Sequence, residues 1–149
     1  MKTLLAGMFL LAAFLYCSIY CTGQVTPPPV PKPVLYFIGQ EPYSTGTSSF
    51  IRYRYGVFNS SDYPDELFAA APKLPPCGSN TNAARSWVDV FEMNGRRLSG
   101  FCAIQKSGDL NMIWFSLPEG VVPPSWIYIE LTDRQTSTKY KSNLAESTN

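Results

Sequence analysis

Three tryptophans, Trp87, Trp114 and Trp126, and a polar cluster from Leu74 to Val90 are the residues whose types and spacing could do chemistry. An exposed indole suits a sugar ring or a protein partner, because it joins a flat apolar face to one polar handle. Trp87 and Trp114 sit inside apolar runs, which assigns them to the core. Trp126 follows Pro123-Pro124 at a strand entrance and is the one expected at the surface. In the cluster, Leu74-Pro75-Pro76-Cys77-Gly78-Ser79-Asn80 leads into Arg85-Ser86-Trp87-Val88-Asp89-Val90. The prolines fix an extended approach, Gly78 permits a backbone angle other residues resist, and Asn80 and Asn82 can bond their own backbone. Asn80, Arg85, Asp89 and Trp126 are therefore the candidate binding residues. The competing structural reading pairs Arg85 with a carboxylate and leaves the asparagines to the turn.

Catalysis finds little support in the residue inventory. The chain has no histidine, which removes imidazole bases, histidine-based triads and histidine-ligated zinc for this chain alone. Carboxylate pairs remain, as in glycoside hydrolases. Asp62, Asp65 and Glu66 are clustered but surround a turn and a helix start, where acidic residues are expected anyway. Folded positions of Asp62, Asp65, Asp89 and Asp133 decide that question. Asn59, Asp62 and Asp65 could offer oxygens to calcium, yet the spacing of a calcium-binding loop is missing. No cofactor or metal is expected. Asn59-Ser60-Ser61 is a glycosylation sequon in a eukaryotic secretory route.

Compartment follows from the first residues. Lys2 precedes an uncharged apolar run from Leu4 to Tyr20, the pattern of a secretory signal peptide spanning residues 1–23, with cleavage expected after Gly23. A retained membrane anchor is the alternative, since the run approaches the length needed to span a bilayer. Cleavage removes Cys17 and Cys21 and leaves Cys77 and Cys102, an even pair that reads as one disulfide in an oxidising compartment. Closing a loop of that length stabilises a fold by roughly 3.5 kcal/mol on the chain-entropy model. Removal of Lys2 also leaves eleven basic against eleven acidic residues. A neutral chain carries no nucleic-acid footprint.

The elements that would position these residues are strands. Residues 24–33 hold five prolines in the run Val25 to Pro33 and read as a stiff polyproline linker. From Val34 onwards, β-branched and aromatic runs alternate with turn chemistry: strands are expected at Val34 to Ile38, Phe50 to Phe58, Trp87 to Phe91, Leu98 to Ile104, Met112 to Leu117, Trp126 to Thr132 and Thr138 to Lys141. Gly39 to Ser48 reads as turn. In the second strand Ile51, Tyr53, Tyr55 and Val57 alternate with Arg52 and Arg54, the signature of a half-buried strand. Asn94-Gly95 between two such runs signals a hairpin. A short helix is expected within Pro64 to Ala71. Seven short strands in residues 34–142 predict an all-β, two-sheet sandwich of immunoglobulin-like or fibronectin type III-like topology, a small barrel being the alternative. Residues 143–149 read as a flexible tail.

The L-P-P-C-G-x-N stretch followed by R-x-W-V is similar to a pattern in small secreted bacterial domains of uncharacterised function. That resemblance covers Tyr53 to Trp114 and implies no activity. The functional expectation is a secreted, periplasmic or cell-surface binding module that takes a protein or a surface glycan, with no nucleic-acid partner and membrane contact only through an uncleaved leader. A structural subunit of an envelope assembly and a small carboxylate-dependent glycoside hydrolase are the alternatives.

Overall fold

The computed structural model describes residues 29–75 and 84–148. Alternation dictates the elements: a strand that buries every second side chain needs a second layer to bury it against. Strands β1 (Leu35–Thr45), β2 (Ser48–Val57) and β5 (Ile113–Pro118) form one antiparallel sheet in the order β1-β2-β5. Strands β3 (Ser86–Glu92), β4 (Arg97–Ile104), β6 (Trp126–Asp133) and β7 (Thr138–Lys141) form the other in the order β4-β3-β6-β7, with the short β8 (Ala145–Glu146) pairing β6 beyond β7. The fourth strand thus pairs the third and not the fifth, which selects the fibronectin type III-like arrangement over that of immunoglobulin constant domains.

The core lies between the inward rows. Tyr53, Tyr55 and Val57 of β2 and Ile113 and Phe115 of β5 face Val88 and Val90 of β3 and Ile127, Ile129 and Leu131 of β6. Tyr53 and Phe115 stack at 5.0 Å between ring centres. The Tyr55 hydroxyl donates to Ser147 Oγ at 2.9 Å, and burial pushes the Tyr55 phenol up to about 12. Arg52 and Arg54 point outward as the alternation requires.

Three expectations are corrected. Gly39 to Thr45 is strand, not turn: a bulge between Phe37 and Gly39 lets β1 continue, with Gly39 at a φ of 152°. Such a kink needs glycine and is invisible to a two-residue period. The helix expected within Pro64 to Ala71 is one 3-10 turn, Asp65–Phe68, and further 3-10 turns stand at Ser60–Asp62 and Ser107–Asn111. The chain end expected as tail is packed instead, with Ala145 and Ser147 buried.

Two asparagine amides hold the chain where it enters the sandwich. Asn143 Oδ1 accepts from the Leu35 amide at 2.7 Å while its Nδ2 donates to the Leu35 carbonyl at 3.0 Å. Asn59 does the same across Val34 N (2.9 Å) and Lys32 O (3.0 Å). Each side chain thereby replaces a neighbouring strand. Pro33 is fully buried and Val30 packs on the core, so the last residues of the expected linker belong to the domain. Asn143→Ala should lower stability by about 1–3 kcal/mol, the cost of leaving buried backbone groups unpaired, and should speed amide exchange at Leu35. An unchanged melting curve and exchange rate would remove the clamp from the account.

Candidate functional site

Arg85 stands where the chain enters β3, just after an isolated bridge between Ala70 and Ala84. Its Nε donates to Asp133 Oδ1 at 2.9 Å, its Nη2 to Oδ2 at 2.6 Å, and its Nη1 to the Glu66 carbonyl at 3.2 Å. Asp133, 2% exposed at the end of β6, also accepts from the Gln135 amide and the Thr136 hydroxyl, both at 3.0 Å. The Arg85 hydrogen bonds hold the Asp133 carboxyl below the usual carboxylate range, against the opposing effect of burial. The same bond raises Arg85 further. Arg85 is thus committed to a carboxylate, the structural alternative of the sequence reading. A cavity of about 430 Å³ beside it is lined by Ala69 to Leu74 with Glu66, Arg85 and Gln135, and the Arg85 charge there is already neutralised.

Asp89 lies in mid-strand on the outer face of the larger sheet. It accepts from Arg97 Nε at 2.7 Å. Gly100, opposite it on β4, leaves the space that the Arg97 guanidinium fills, so a side chain there would collide with the pair. Glu130, directly across on β6, accepts from Lys139 at 3.0 Å. Lys141 sits 3.8 Å over the Tyr128 ring, which stacks on Phe91. Each carboxylate on this face has its own cation, the pattern of a solvated sheet surface worth little per pair.

Trp126 is 38% exposed, as the sequence predicted. It lies at the other end of the β3–β6 pair from Arg85, about 26 Å away at strand rise. The two therefore belong to different surfaces. The Met93 amide donates to the Trp126 carbonyl at 3.1 Å, which holds the β3–β4 hairpin against the start of β6. A cleft of about 170 Å³ between them is lined by Glu92, Met93, Asn94, Pro124, Ser125 and Trp126. Met93 is 62% exposed; Val121 and Val122, earlier in the β5–β6 connection, are also exposed, Val122 at 86%. The polar neighbours are engaged internally: Glu92 accepts from Arg96 and from Asn94 Nδ2 (2.8 Å), and Asn94 Oδ1 accepts from the Arg96 amide (2.9 Å). The Arg96 bond keeps the Glu92 carboxyl below its ordinary range.

Trp87 and Trp114 are not core residues. Both are half-buried on outer faces and roofed by arginines, Arg134 at 5.3 Å over Trp87 and Arg52 at 4.7 Å over Trp114. Arg52 is sandwiched between Trp114 and Tyr43, 4.3 Å away. The alternation of β3 and β5 carried this signal, because each tryptophan stands one position out of phase with its buried neighbours. Met93, Val121 and Val122 were missed, since exposure of a lone apolar residue in a turn has no local sequence signature. Cys77 and Asn80 lie outside the described residues, while Cys102 lies on β4.

Comparison with known protein families, curated proteins and solved structures finds no match. Among the described residues no cluster of three or more acidic or thiol side chains could hold a metal ion, and no helix is long and apolar enough to cross a membrane. Asn59, weighed above as a calcium ligand, has its amide committed to the chain entry.

Replacing Asp133 by Asn should cost roughly 3 kcal/mol at neutral pH, toward the lower end for a buried pair that loses one charge. The folded carboxyl has a lowered pKa, so its contribution is complete above about pH 4 and is lost as pH falls through the folded value. The stability gap between the native chain and Asp133→Asn should therefore narrow below about pH 4 in urea titrations. A gap independent of pH would contradict the ion pair.

Proposed function

We propose that this chain is a secreted, non-catalytic β-sandwich module that binds another protein through the end carrying Trp126, Met93, Val121 and Val122. One observation carries the reading: the exposed Trp126 and Met93 line a small cleft whose carboxylate and amide are already bonded to their own neighbours. A sugar needs several oriented polar groups as well as an aromatic face, and Glu92 and Asn94 are engaged elsewhere. An apolar side chain from a protein partner needs only the notch. Tryptophan and methionine are also the residue types that dominate protein interfaces.

Other features favour this reading over its rivals. A carboxylate-dependent hydrolase needs two acids available in a cleft, whereas Asp133 and Asp89 each carry an arginine. An assembly completed through strand edges needs a long clean edge. Edge strand β1 instead has a bulge, Pro42, and a first residue clipped by Asn143, devices that discourage pairing. Secretion follows from the leader of residues 1–23, and a Cys77–Cys102 disulfide from the even cysteine pair that its cleavage leaves. That bridge would fasten the connection preceding β3 to β4, which pairs it.

Intact mass of the secreted product should lack Met1 to Gly23 and two hydrogens relative to its reduced form; an intact leader or a full complement of hydrogens would refute processing or the bridge respectively. A partner captured from the host's extracytoplasmic fraction should bind Trp126→Ala at least about thirtyfold more weakly, the effect of losing an interface hot spot, with the melting temperature unchanged. Undiminished binding by that variant, or selective retention of oligosaccharides in place of protein, would overturn the proposal.

A further inference from the structure

A second exposed apolar surface, which shares no residue with the Trp126 cleft, lies where the chain enters the sandwich. On β1 and the residue before it, Val34, Tyr36 and Ile38 alternate with the buried Leu35 and half-buried Phe37 and so project from the outer face. Tyr36 lies across Gly56, whose missing side chain makes room for the ring: a Cβ there would stand 2.7 Å from the phenol oxygen. Phe58, 81% exposed, is joined to this row by the bond from its amide to the Val34 carbonyl. Leu144 is exposed beside Asn143, the residue that clips Leu35.

The charges that line the cleft beside this row are of one sign. A cleft of about 440 Å³ is lined by Lys32, Pro33, Val34, Lys141, Ser142 and Asn143, and no carboxylate lines it. Neither lysine forms an ion pair among the described residues; Lys141 rests on the Tyr128 ring and Lys32 has no bonded partner for its ammonium. Two unpaired cations face one open cleft while most other basic side chains of the domain are bonded to carboxylates. The cleft therefore favours an anion.

We propose that this face is a membrane-surface site, with the lysine cleft receiving an anionic lipid headgroup and Val34, Tyr36, Ile38 and Phe58 entering the boundary between headgroups and acyl chains. Protruding apolar groups on a strand face and a turn suit a deformable lipid boundary, whereas a protein anchor needs a shaped notch such as the one at Trp126. Lysines keep their ammonium groups at the headgroup level while their stems lie along the apolar surface. A second copy of the chain is disfavoured as occupant, because a twofold contact through this patch brings lysine clusters together.

The test is sedimentation of the secreted protein with vesicles of phosphatidylcholine alone and of phosphatidylcholine mixed with phosphatidylglycerol. Binding should require the anionic lipid and weaken in high salt. Lys32→Glu with Lys141→Glu should reduce it by about tenfold or more, since each surface lysine contributes about fivefold. Tyr36→Ser with Phe58→Ser, at exposed positions where folding is preserved, should reduce it comparably, and Trp126→Ala should leave it intact. Failure to sediment with anionic vesicles, equal binding to both vesicle types, or indifference to both double variants would overturn the inference. Binding to an immobilised acidic polypeptide without binding to vesicles would equally overturn it, by assigning the cleft to a protein.

Discussion

The buried Asp133 carboxylate is the constraint on which this sandwich depends. Two of its hydrogen bonds come from one guanidinium and two from the turn that starts the β6–β7 hairpin. A charge in that position is costly to desolvate and tolerable only when fully bonded, so Arg85, Gln135 and Thr136 must all be in place together. Through Arg85 the knot reaches the Glu66 carbonyl and holds the long connection from β2 to β3. The Ser86 hydroxyl donating to the Leu67 carbonyl at 2.5 Å, and the Arg85 amide donating to the Ala69 carbonyl, fasten the same seam. Arg85, whose type suggested a binding rim, is bonded at the point where β3 begins.

The two surfaces proposed for binding are ones that the knot does not use. At one end the hairpin and the β5–β6 connection present apolar side chains around an engaged polar pair. The other surface lies where the chain enters under two asparagine clamps, beside unpaired lysines and an apolar row. The two proposed surfaces share no residue.

Local pattern accounts for most of what was legible in the sequence. Alternation located every strand of the two sheets except β8, and Asn94-Gly95 marked its hairpin, with Gly95 at a φ of 90°. The strand that was misread in length, β1, hides its continuation behind a bulge. The asparagine clamps were illegible for a different reason: Asn143 and Leu35 are far apart in the chain, and nothing local marks an amide that imitates a strand. Of the candidate site residues, Trp126 was placed at the surface by its proline-flanked entrance, and the structural alternative for Arg85, a carboxylate partner, is what Asp133 supplies, whereas the pairing of Asp89 with Arg97 was not foreseen. Charge pairing across strands depends on register, which composition and spacing do not reveal.

The central claim is that binding belongs to the Trp126 end and that Arg85 is structural. Amide hydrogen exchange of the chain with and without its bound protein partner tests it most directly. Added protection should appear at Met93 to Gly95 and at Val121 to Trp126 while Arg85 to Asp89 keeps its unbound rates; protection centred on Arg85 to Asp89, with the hairpin and the β5–β6 connection unchanged, would contradict the account.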